Sequence, residues 1–303
     1  MSDTLDTRTA SGLTRDVAPA VAAMARMLAE QAGARAVLFY GSNLRTGSLE
    51  GVLDFYVLLD GPPEGGIWPR VSYREWTFAA EGERLALRAK IAAMTLAKFA
   101  EAASGRLLDT TIWTRFCQPS ALVACPDPAA REAVIAAIAS AVRTAARLAV
   151  AVGPKSGAEE EYWRALFEAT YQAEFRMERA SRARSIIELN REHFTGLLPA
   201  ALAAQGLAFQ EDGGGIAPEV PAAERARIHR WWKRRRRLGK PLNLVRLVRA
   251  SATFEGAARY AAWKIERHTG VPVELTPWRE RHPLLAAPGV LFAVWRARRQ
   301  TRI

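Results

Sequence analysis

Strand-like apolar runs crowd into the first third of this chain, and helix-like periodicity takes over after them. Residues 36–40 and 51–59 are short apolar runs that end at turn-forming residues, and residues 71–79 and 84–92 are two further β-rich runs. From residue 95 onward, apolar side chains recur mostly at spacings of three and four, which is typical of amphipathic helices. This order predicts an α+β fold in which a β-sheet comes first and helices follow.

The helical predictions and the breaks between them divide the chain into three parts. Helices are predicted at residues 17–31, 95–104, 107–123, 129–152 and 159–184. The Pro126-Asp127-Pro128 sequence marks one boundary, and the glycine-rich residues 210–215 predict a flexible link or a loop. The expected organisation is a first domain at residues 1–125 with a mixed sheet flanked by helices, a helical domain at 126–212, and a basic C-terminal segment at 213–303.

Positive charge is concentrated at the C-terminal end. The whole chain has 43 Lys and Arg against 31 Asp and Glu, but 20 basic and only 4 acidic residues fall between Arg225 and Ile303. That stretch therefore carries a net charge of +16, while the rest of the chain is slightly negative. An excess of this kind favours an anionic partner such as nucleic acid or an anionic membrane surface.

Residues 1–16 and the two cysteines predict a cytoplasmic protein. The N-terminal residues are polar and mixed in charge, without the apolar stretch of a secretory signal. Cys117 and Cys125 are expected to be reduced thiols. Because uncharged apolar runs fall short of the roughly 20 residues that a spanning helix needs, we expect any membrane contact to be peripheral, at the inner face of the cell membrane.

One short motif points to chemistry. The apolar run at residues 36–40 ends in Gly41 and Ser42, and Asp54 follows after a gap of eleven residues, inside the next apolar run. Without a side chain at Gly41, phosphates can approach the backbone N–H groups at the strand end. A carboxylate on the neighbouring strand can hold Mg²⁺ against the same phosphates. These residues are compatible with a nucleotide site that holds Mg²⁺, although such a pattern alone is more often an ordinary turn beside an aspartate without a ligand; it is the resemblance to a known family that favours the nucleotide site.

The motif resembles the DNA polymerase beta superfamily of nucleotidyltransferases. Its signature is an apolar strand, Gly-Ser or Gly-Gly, a gap of about a dozen residues, and Asp-x-Asp/Glu on the next strand; here Tyr56 stands where the second carboxylate is usual. Residues 39–43 and 53–57 are most similar to phosphatidate cytidylyltransferases of the mitochondrial translocator-maintenance type. The resemblance covers residues 35–123 and is thinner elsewhere, with weak similarity at residues 247–251 and 256–260.

This resemblance implies a mixed nucleotidyltransferase sheet and an enzyme of phospholipid biosynthesis. The implied reaction transfers a cytidylyl group from CTP to phosphatidate and gives CDP-diacylglycerol and pyrophosphate. A phosphate monoester has a second pKa of roughly 6 and is already a dianion near neutral pH, so it needs no metal-assisted deprotonation. Tyr56 is therefore compatible with a phosphate acceptor. The alternatives are a nucleotidyltransferase that acts on RNA, a small molecule or a protein, and a catalytically silent relative.

Asp54 is the predicted catalytic residue and the first metal ligand. A second acidic ligand is expected on a neighbouring strand, with Glu75 as the choice and Asp109 as the other candidate. Each has a structural alternative: Glu75 can pair with Arg74 or Arg88, and Asp109 can cap a helix. Nucleotide contacts are assigned to the surrounding residues that donate hydrogen bonds or carry positive charge: Gly41, Ser42, Asn43, Arg45 and Lys90.

The basic segment interleaves cations with two tryptophans. Trp231 and Trp232 precede Lys233 and four consecutive arginines, Arg234, Arg235, Arg236 and Arg237. At an anionic membrane each such cation contributes about 1 kcal/mol of attraction, and tryptophan prefers the interface. We therefore expect this segment to bind a phosphatidate-containing anionic membrane. Tryptophans packed in the core with solvated arginines come second; binding of nucleic acid, with arginines on phosphates and indoles on bases, comes third.

Overall fold

A five-stranded mixed sheet lies at the centre of the protein. The computed structural model describes residues 4–66, 69–80, 83–173, 181–212, 215–253 and 256–300. The strands are β1 (Ala36–Tyr40), β2 (Leu53–Leu59), β3 (Arg70–Ala80), β4 (Glu83–Thr95) and β5 (Ser120–Ala124), in the order β3-β4-β2-β1-β5. β2 and β4 are parallel, and the other neighbours are antiparallel. The prediction of an α+β fold with a mixed sheet flanked by helices is confirmed.

Both faces of the sheet are covered, which explains the continuous apolar runs of its central strands. All five residues of β1 are buried. Phe39 and Phe55 are directly opposite each other on one face, with ring centroids 5.1 Å apart. Leu38 and Tyr56 are opposite each other on the other face. Because side chains alternate between faces, each central strand contributes to two separate apolar clusters.

Helices surround the sheet and continue beyond it. Several begin at side-chain caps: Thr95 accepts a hydrogen bond from the backbone N–H of Lys98, and Asp127 accepts one from Ala129. The helices are α1 (Leu5–Leu13), α2 (Pro19–Ala32), α3 (Ser42–Thr46), α4 (Leu96–Ala103), α5 (Thr111–Phe116), α6 (Pro128–Val152), α7 (Glu159–Ala173), α8 (Ser181–Glu188), α9 (Arg191–Phe194), α10 (Leu197–Ala203), α11 (Ala222–Thr253), α12 (Ala257–Thr269), α13 (Pro277–Arg281) and α14 (Pro283–Gln300).

The long helix α6 is the centre of the helical layer. It packs against α1, α4, α5, α7, α10 and α11. Within the described part of the chain, α6 is the one helix whose length and composition would allow it to cross a bilayer, but 72% of its most apolar window is buried inside the fold. Its apolar character is therefore accounted for by core packing.

Some predicted elements differ from the structure. Residues 107–123 form the short helix α5 and then the edge strand β5, because Ser120 and the residues after it pair with β1. Residues 209–218 form a hairpin of β6 (Phe209–Asp212) and β7 (Gly215–Pro218) where a flexible link or a loop was expected; residues 213–214 lie outside the described residues. Within the predicted helix at 159–184, α7 and α8 are present and residues 174–180 are not described. Helix α1 was not predicted.

The main apolar cluster joins all three predicted segments. It contains Leu5 and Leu38 from the first, Val134 and Leu198 from the second, and Trp232 from the third. α11 contacts α6 and α7, and α12 contacts β3. The C-terminal segment is thus packed on the sheet and the helical layer. The division into three domains stays a prediction.

Candidate functional site

Gly41 and Asp54 are in direct contact at the ends of two neighbouring strands. The antiparallel register places Tyr40 opposite Asp54, so the next residue, Gly41, lies beside the aspartate. Gly41 has φ +93°, and a Cβ atom there would lie only 3.1 Å from Oδ2 of Asp54. L side chains rarely adopt this backbone conformation. The structure therefore brings together the two residues on which the sequence motif depends.

Asn43 organises the loop that follows. Its side chain is buried, and Nδ2 donates hydrogen bonds of 2.8 Å to the carbonyl oxygens of Ser48 and Glu50. Ser42 is exposed, and its hydroxyl donates to Oδ1 of Asn43 over 3.3 Å. The amide of Asn43 thus ties α3 to the segment that leads into β2. Its role in the structure is to hold the loop, whereas the Ser42 side chain faces solvent.

Three cations surround Asp54. Lys90 is its direct cross-strand neighbour on β4, so the two side chains share a face of the sheet. Arg115 comes from α5, and its Nη1 donates a 3.1 Å hydrogen bond to the hydroxyl of Tyr56. The Arg115 guanidinium also lies 5.3 Å from the ring centroid of Tyr40. Arg45 follows from α3, four residues after Gly41.

Burial and these charges act on Asp54 in opposite directions. Burial raises the pKa of the Asp54 carboxyl above its ordinary value, while the positive charges of Lys90, Arg115 and Arg45 lower it by a smaller amount. One carboxylate among three cations leaves a local surplus of positive charge. Such a site attracts a polyanion.

Arg115 and Tyr260 are functional candidates that the sequence did not reveal. Tyr260 lies on α12, with its ring centroid 5.5 Å from that of Tyr73. Burial raises the pKa of the Tyr260 phenol, and the negative charge of Asp54 adds to the rise, which places α12 close to the site. The signal for both residues was slight. Arg115 falls within residues 35–123, which the family resemblance covers, and Tyr260 within the weakly similar residues 256–260, but neither was singled out and each comes from an element distant in the chain from Asp54.

The expected second carboxylate is not beside Asp54. Glu75 accepts a 2.7 Å hydrogen bond from the hydroxyl of Tyr73 and pairs with Nε of Arg88 at 3.5 Å. It lies two strands and two residues away from Asp54, about 12 Å by ordinary sheet spacing. Asp109 is buried just before α5 and accepts a 2.6 Å hydrogen bond from the hydroxyl of Thr111. Both carboxylates are therefore engaged in local structure.

The donor set does not fit a magnesium ion held by the protein. Among the described residues, no group of three or more His, Cys, Asp or Glu side chains is placed to hold a metal. Mg²⁺ takes oxygen ligands, usually one or two carboxylates with substrate phosphates. Here Asp54 supplies one carboxylate, and the hydroxyl of Tyr56 is bonded to Arg115 at the position of the second. Three neighbouring cations compete for the one carboxylate.

The two tryptophans of the basic segment face the protein interior. Trp232 is buried and Trp231 is partly buried, with ring centroids 6.4 and 5.8 Å from that of Trp113. Arg235 is also buried: it donates to the carbonyl oxygens of Gly105 and Leu107 and lies 3.8 Å over the ring of Trp231. The expectation that both indoles contact lipid is corrected, because they anchor α11 to the core. Arg234, Arg236 and Arg237 are exposed, and the anionic partner stays a prediction.

An exposed apolar face lies instead on α14. One side of this helix packs on α12, where Ala286 and Val294 are buried. The other side carries large apolar side chains that are 49–71% exposed and lie on one face of the helix: Leu285, Leu291, Phe292 and Trp295. The opposite, buried side of α14 packs on α12, the helix that carries Tyr260. The exposed face is a stronger candidate for contact with an apolar surface than the buried tryptophans of α11.

A cavity of about 270 Å³ lies on the side of the sheet that carries Asp54, beyond β1. The cavity is lined by Ser120, which is opposite Tyr40 in the sheet, and by His193, Arg8 and Arg15. Nε2 of His193 donates a 2.9 Å hydrogen bond to the carbonyl oxygen of Cys117. Burial lowers the pKa of His193 to about 4, so its imidazole is neutral at physiological pH.

Comparison with known proteins identifies no relative. No protein-family model matches the chain, and no curated protein matches its sequence. The family resemblance of the motif therefore stands on the residues themselves.

Proposed function

We propose that this protein is a nucleotidyltransferase that transfers a cytidylyl group from CTP to phosphatidate at an anionic membrane surface. The observation that carries the proposal is the juxtaposition of Gly41 and Asp54 at adjacent strand ends, with Lys90, Arg115 and Arg45 around them. A glycine that leaves the backbone open and a cluster of cations suit a triphosphate. The family-like order of these residues supplies the choice of CTP and phosphatidate.

The proposed reaction needs positioning and charge stabilisation more than acid–base chemistry. An oxygen of the acceptor phosphate attacks the α-phosphorus of CTP, the new P–O bond forms, and the bond to the β-phosphate oxygen breaks with its electron pair leaving on pyrophosphate. The acceptor is already a dianion, so no base is required. Lys90, Arg115 and Arg45 stabilise charge on the phosphates, and Asp54 holds these cations in place.

The acceptor in this proposal is a membrane lipid, and two exposed features suit such a surface. The apolar face of α14 can enter the interfacial region of a bilayer, as amphipathic helices do. The exposed arginines of α11, Arg234, Arg236 and Arg237, add attraction to anionic headgroups. α14 packs on α12, and α12 packs on β3 and carries Tyr260, so the two helices link this face to the sheet that carries the proposed site.

The experiment offers three classes of acceptor to the same protein. Purified protein is incubated with CTP labelled at the α-phosphate and Mg²⁺, and with phosphatidate vesicles, single-stranded RNA or a bacterial protein extract in separate reactions. We expect label in chloroform-soluble CDP-diacylglycerol and stoichiometric pyrophosphate from the vesicles alone. Label in RNA or protein would replace phosphatidate as the acceptor, and no transfer to any acceptor despite CTP binding would make the protein a silent relative.

A further inference from the structure

The charges around Asp54 differ from those of a site built to hold a divalent cation. A metal-binding nucleotide site gathers carboxylates, whose negative charge offsets that of the metal. Here the described residues gather one carboxylate and three side-chain cations, Lys90, Arg115 and Arg45. A triphosphate meets a surplus of positive charge at this place, whereas a divalent cation meets repulsion.

Two of the cations, Lys90 and Arg115, are held by the fold and do not depend on a ligand for their positions. Lys90 is fixed in register with Asp54 by the parallel pairing of β2 and β4. Arg115 is fixed by its hydrogen bond to Tyr56 and by its place beside the rings of Tyr40 and Tyr56, at 5.3 and 5.9 Å from their centroids. Tyr40 and Tyr56 flank Asp54 on one face of the sheet, so the guanidinium is positioned next to the carboxylate.

Tyr56 has a specific consequence in this arrangement. It occupies the position two residues after Asp54, where the related signature has a second carboxylate, and its hydroxyl accepts a hydrogen bond from Arg115. Where the related signature has an acid that binds a metal, this chain has a phenol that accepts a hydrogen bond from an arginine. A positive charge of the protein thus lies beside the position where a second carboxylate would attract a metal ion.

We propose that this site binds the triphosphate of its nucleotide as the metal-free anion, with Lys90, Arg115 and Arg45 supplying the counter-charge that a divalent cation supplies elsewhere. The inference rests on the proposed function for the identity of the nucleotide, CTP. It makes Asp54 a positioning residue for the cations. Removing its charge should then strengthen the binding of CTP and slow turnover, because the cations would bind the ground state without being held for the transition state.

The test is calorimetric titration of the full chain with CTP, once in excess EDTA and once in Mg²⁺. We expect binding in EDTA at least as tight as in Mg²⁺. Asp54→Asn should tighten binding in EDTA about fivefold, and Lys90→Met should weaken it about tenfold or more, as loss of one charge near a phosphate implies. Arg84→Met, which removes an exposed cation from the same strand, is the matched control and should change little.

The possible outcomes show whether this inference fails, the proposed function fails, or both fail. Binding of CTP only in Mg²⁺, abolished by Asp54→Asn, would overturn the metal-free claim and leave the nucleotidyltransferase proposal standing. Binding of inorganic triphosphate but not CTP in EDTA would support the polyphosphate site and remove CTP as its substrate. No binding of either compound in both buffers would overturn both proposals. Arg115→Met, with its melting temperature recorded, repeats the test with a second cation.

Discussion

Gly41 combines an unusual backbone conformation with contact to Asp54, and the two effects can be separated. Gly41→Ala adds a Cβ 3.1 Å from Oδ2 of Asp54 at φ +93°. We expect it to push the carboxylate towards the phosphate-binding space and weaken CTP binding about tenfold through charge repulsion, with a stability loss of about 1–2 kcal/mol from backbone strain. Gly47→Ala is the control, since Gly47 has φ +68° with no atom within 4 Å of its added Cβ. Gly47→Ala should lower stability by a similar amount and leave CTP affinity unchanged. Calorimetry measures the affinity and thermal melts measure the stability. Equal CTP affinities in the two variants would contradict a role for the contact between Gly41 and Asp54.

His193 predicts a stability change with pH. Its folded-state pKa is lowered to about 4 by burial, while an unfolded histidine titrates near 6.5. The unfolded state therefore binds more protons between these values, so stability is lost as pH falls through this window. Urea unfolding should show about 2 kcal/mol less stability at pH 5 than at pH 7 from this group. His193→Gln, which keeps a donor for the carbonyl of Cys117, should lose that part of the slope; an unchanged slope would show that the pKa of His193 is the same in the folded and unfolded states.

Some of the candidate site was predictable from local sequence, and some was not. Gly41 and Asp54 were found because one short motif contains both, and an antiparallel pair joined by a short connection brings such positions together. Arg115 and Tyr260 come from α5 and α12, and nothing in a single sequence specifies that these helices pack beside β2. Glu75 was misplaced for a related reason: strand prediction gives no register, and the register pairs it with Arg88.

Helix α11 is held by side chains that its sequence presents as part of a solvated basic run. Arg235 is 4% exposed and donates to the carbonyl oxygens of Gly105 and Leu107, whereas its neighbour Arg236 is exposed. Arg235→Gln should lower the free energy of unfolding by about 3 kcal/mol, because the carbonyl oxygen of Leu107 loses its donor and that of Gly105 keeps only the 3.2 Å hydrogen bond from Trp231. Arg236→Gln should change it by less than about 0.5 kcal/mol. Chemical denaturation of the two variants checks this, and equal effects would contradict the packing of α11.

The strand and helix predictions failed where tertiary pairing decides the structure. β1 to β4 and α6 carry strong periodic or apolar patterns and were predicted close to their observed bounds. The residues of β5 fall at the end of the helix predicted at 107–123. They form a strand because they pair with β1, and local sequence does not show that pairing. Trp231 and Trp232 were expected at a membrane interface because composition alone does not distinguish a buried helix face from an exposed one. Their packing partner, Trp113, lies far away in the sequence.

The whole molecule is proposed to meet the membrane through α14. Replacing Leu291 and Phe292 together by glutamate puts two charges on the exposed apolar face. We expect this variant to bind phosphatidate vesicles at least about tenfold more weakly, because burying each new charge in the membrane interface costs free energy. Ala293→Glu, on the same helix but away from that face, is the control and should bind nearly as well as the wild type. Vesicle flotation measures the effect, and equal binding by all three proteins would remove α14 as the contact.

The reaction itself is tested most directly by turnover with one altered carboxylate. Production of CDP-diacylglycerol from labelled CTP and phosphatidate vesicles is compared between the wild type, Asp54→Asn and Asp60→Asn. Asp60 follows the far end of the same strand, where it is exposed and paired with Arg35 at 3.0 Å. We predict product from the wild type, at least a hundredfold less (about 3 kcal/mol) from Asp54→Asn, and a nearly normal rate from Asp60→Asn, with melting temperatures alike. Turnover by Asp54→Asn within about tenfold of the wild type would contradict the placement of the reaction at this site.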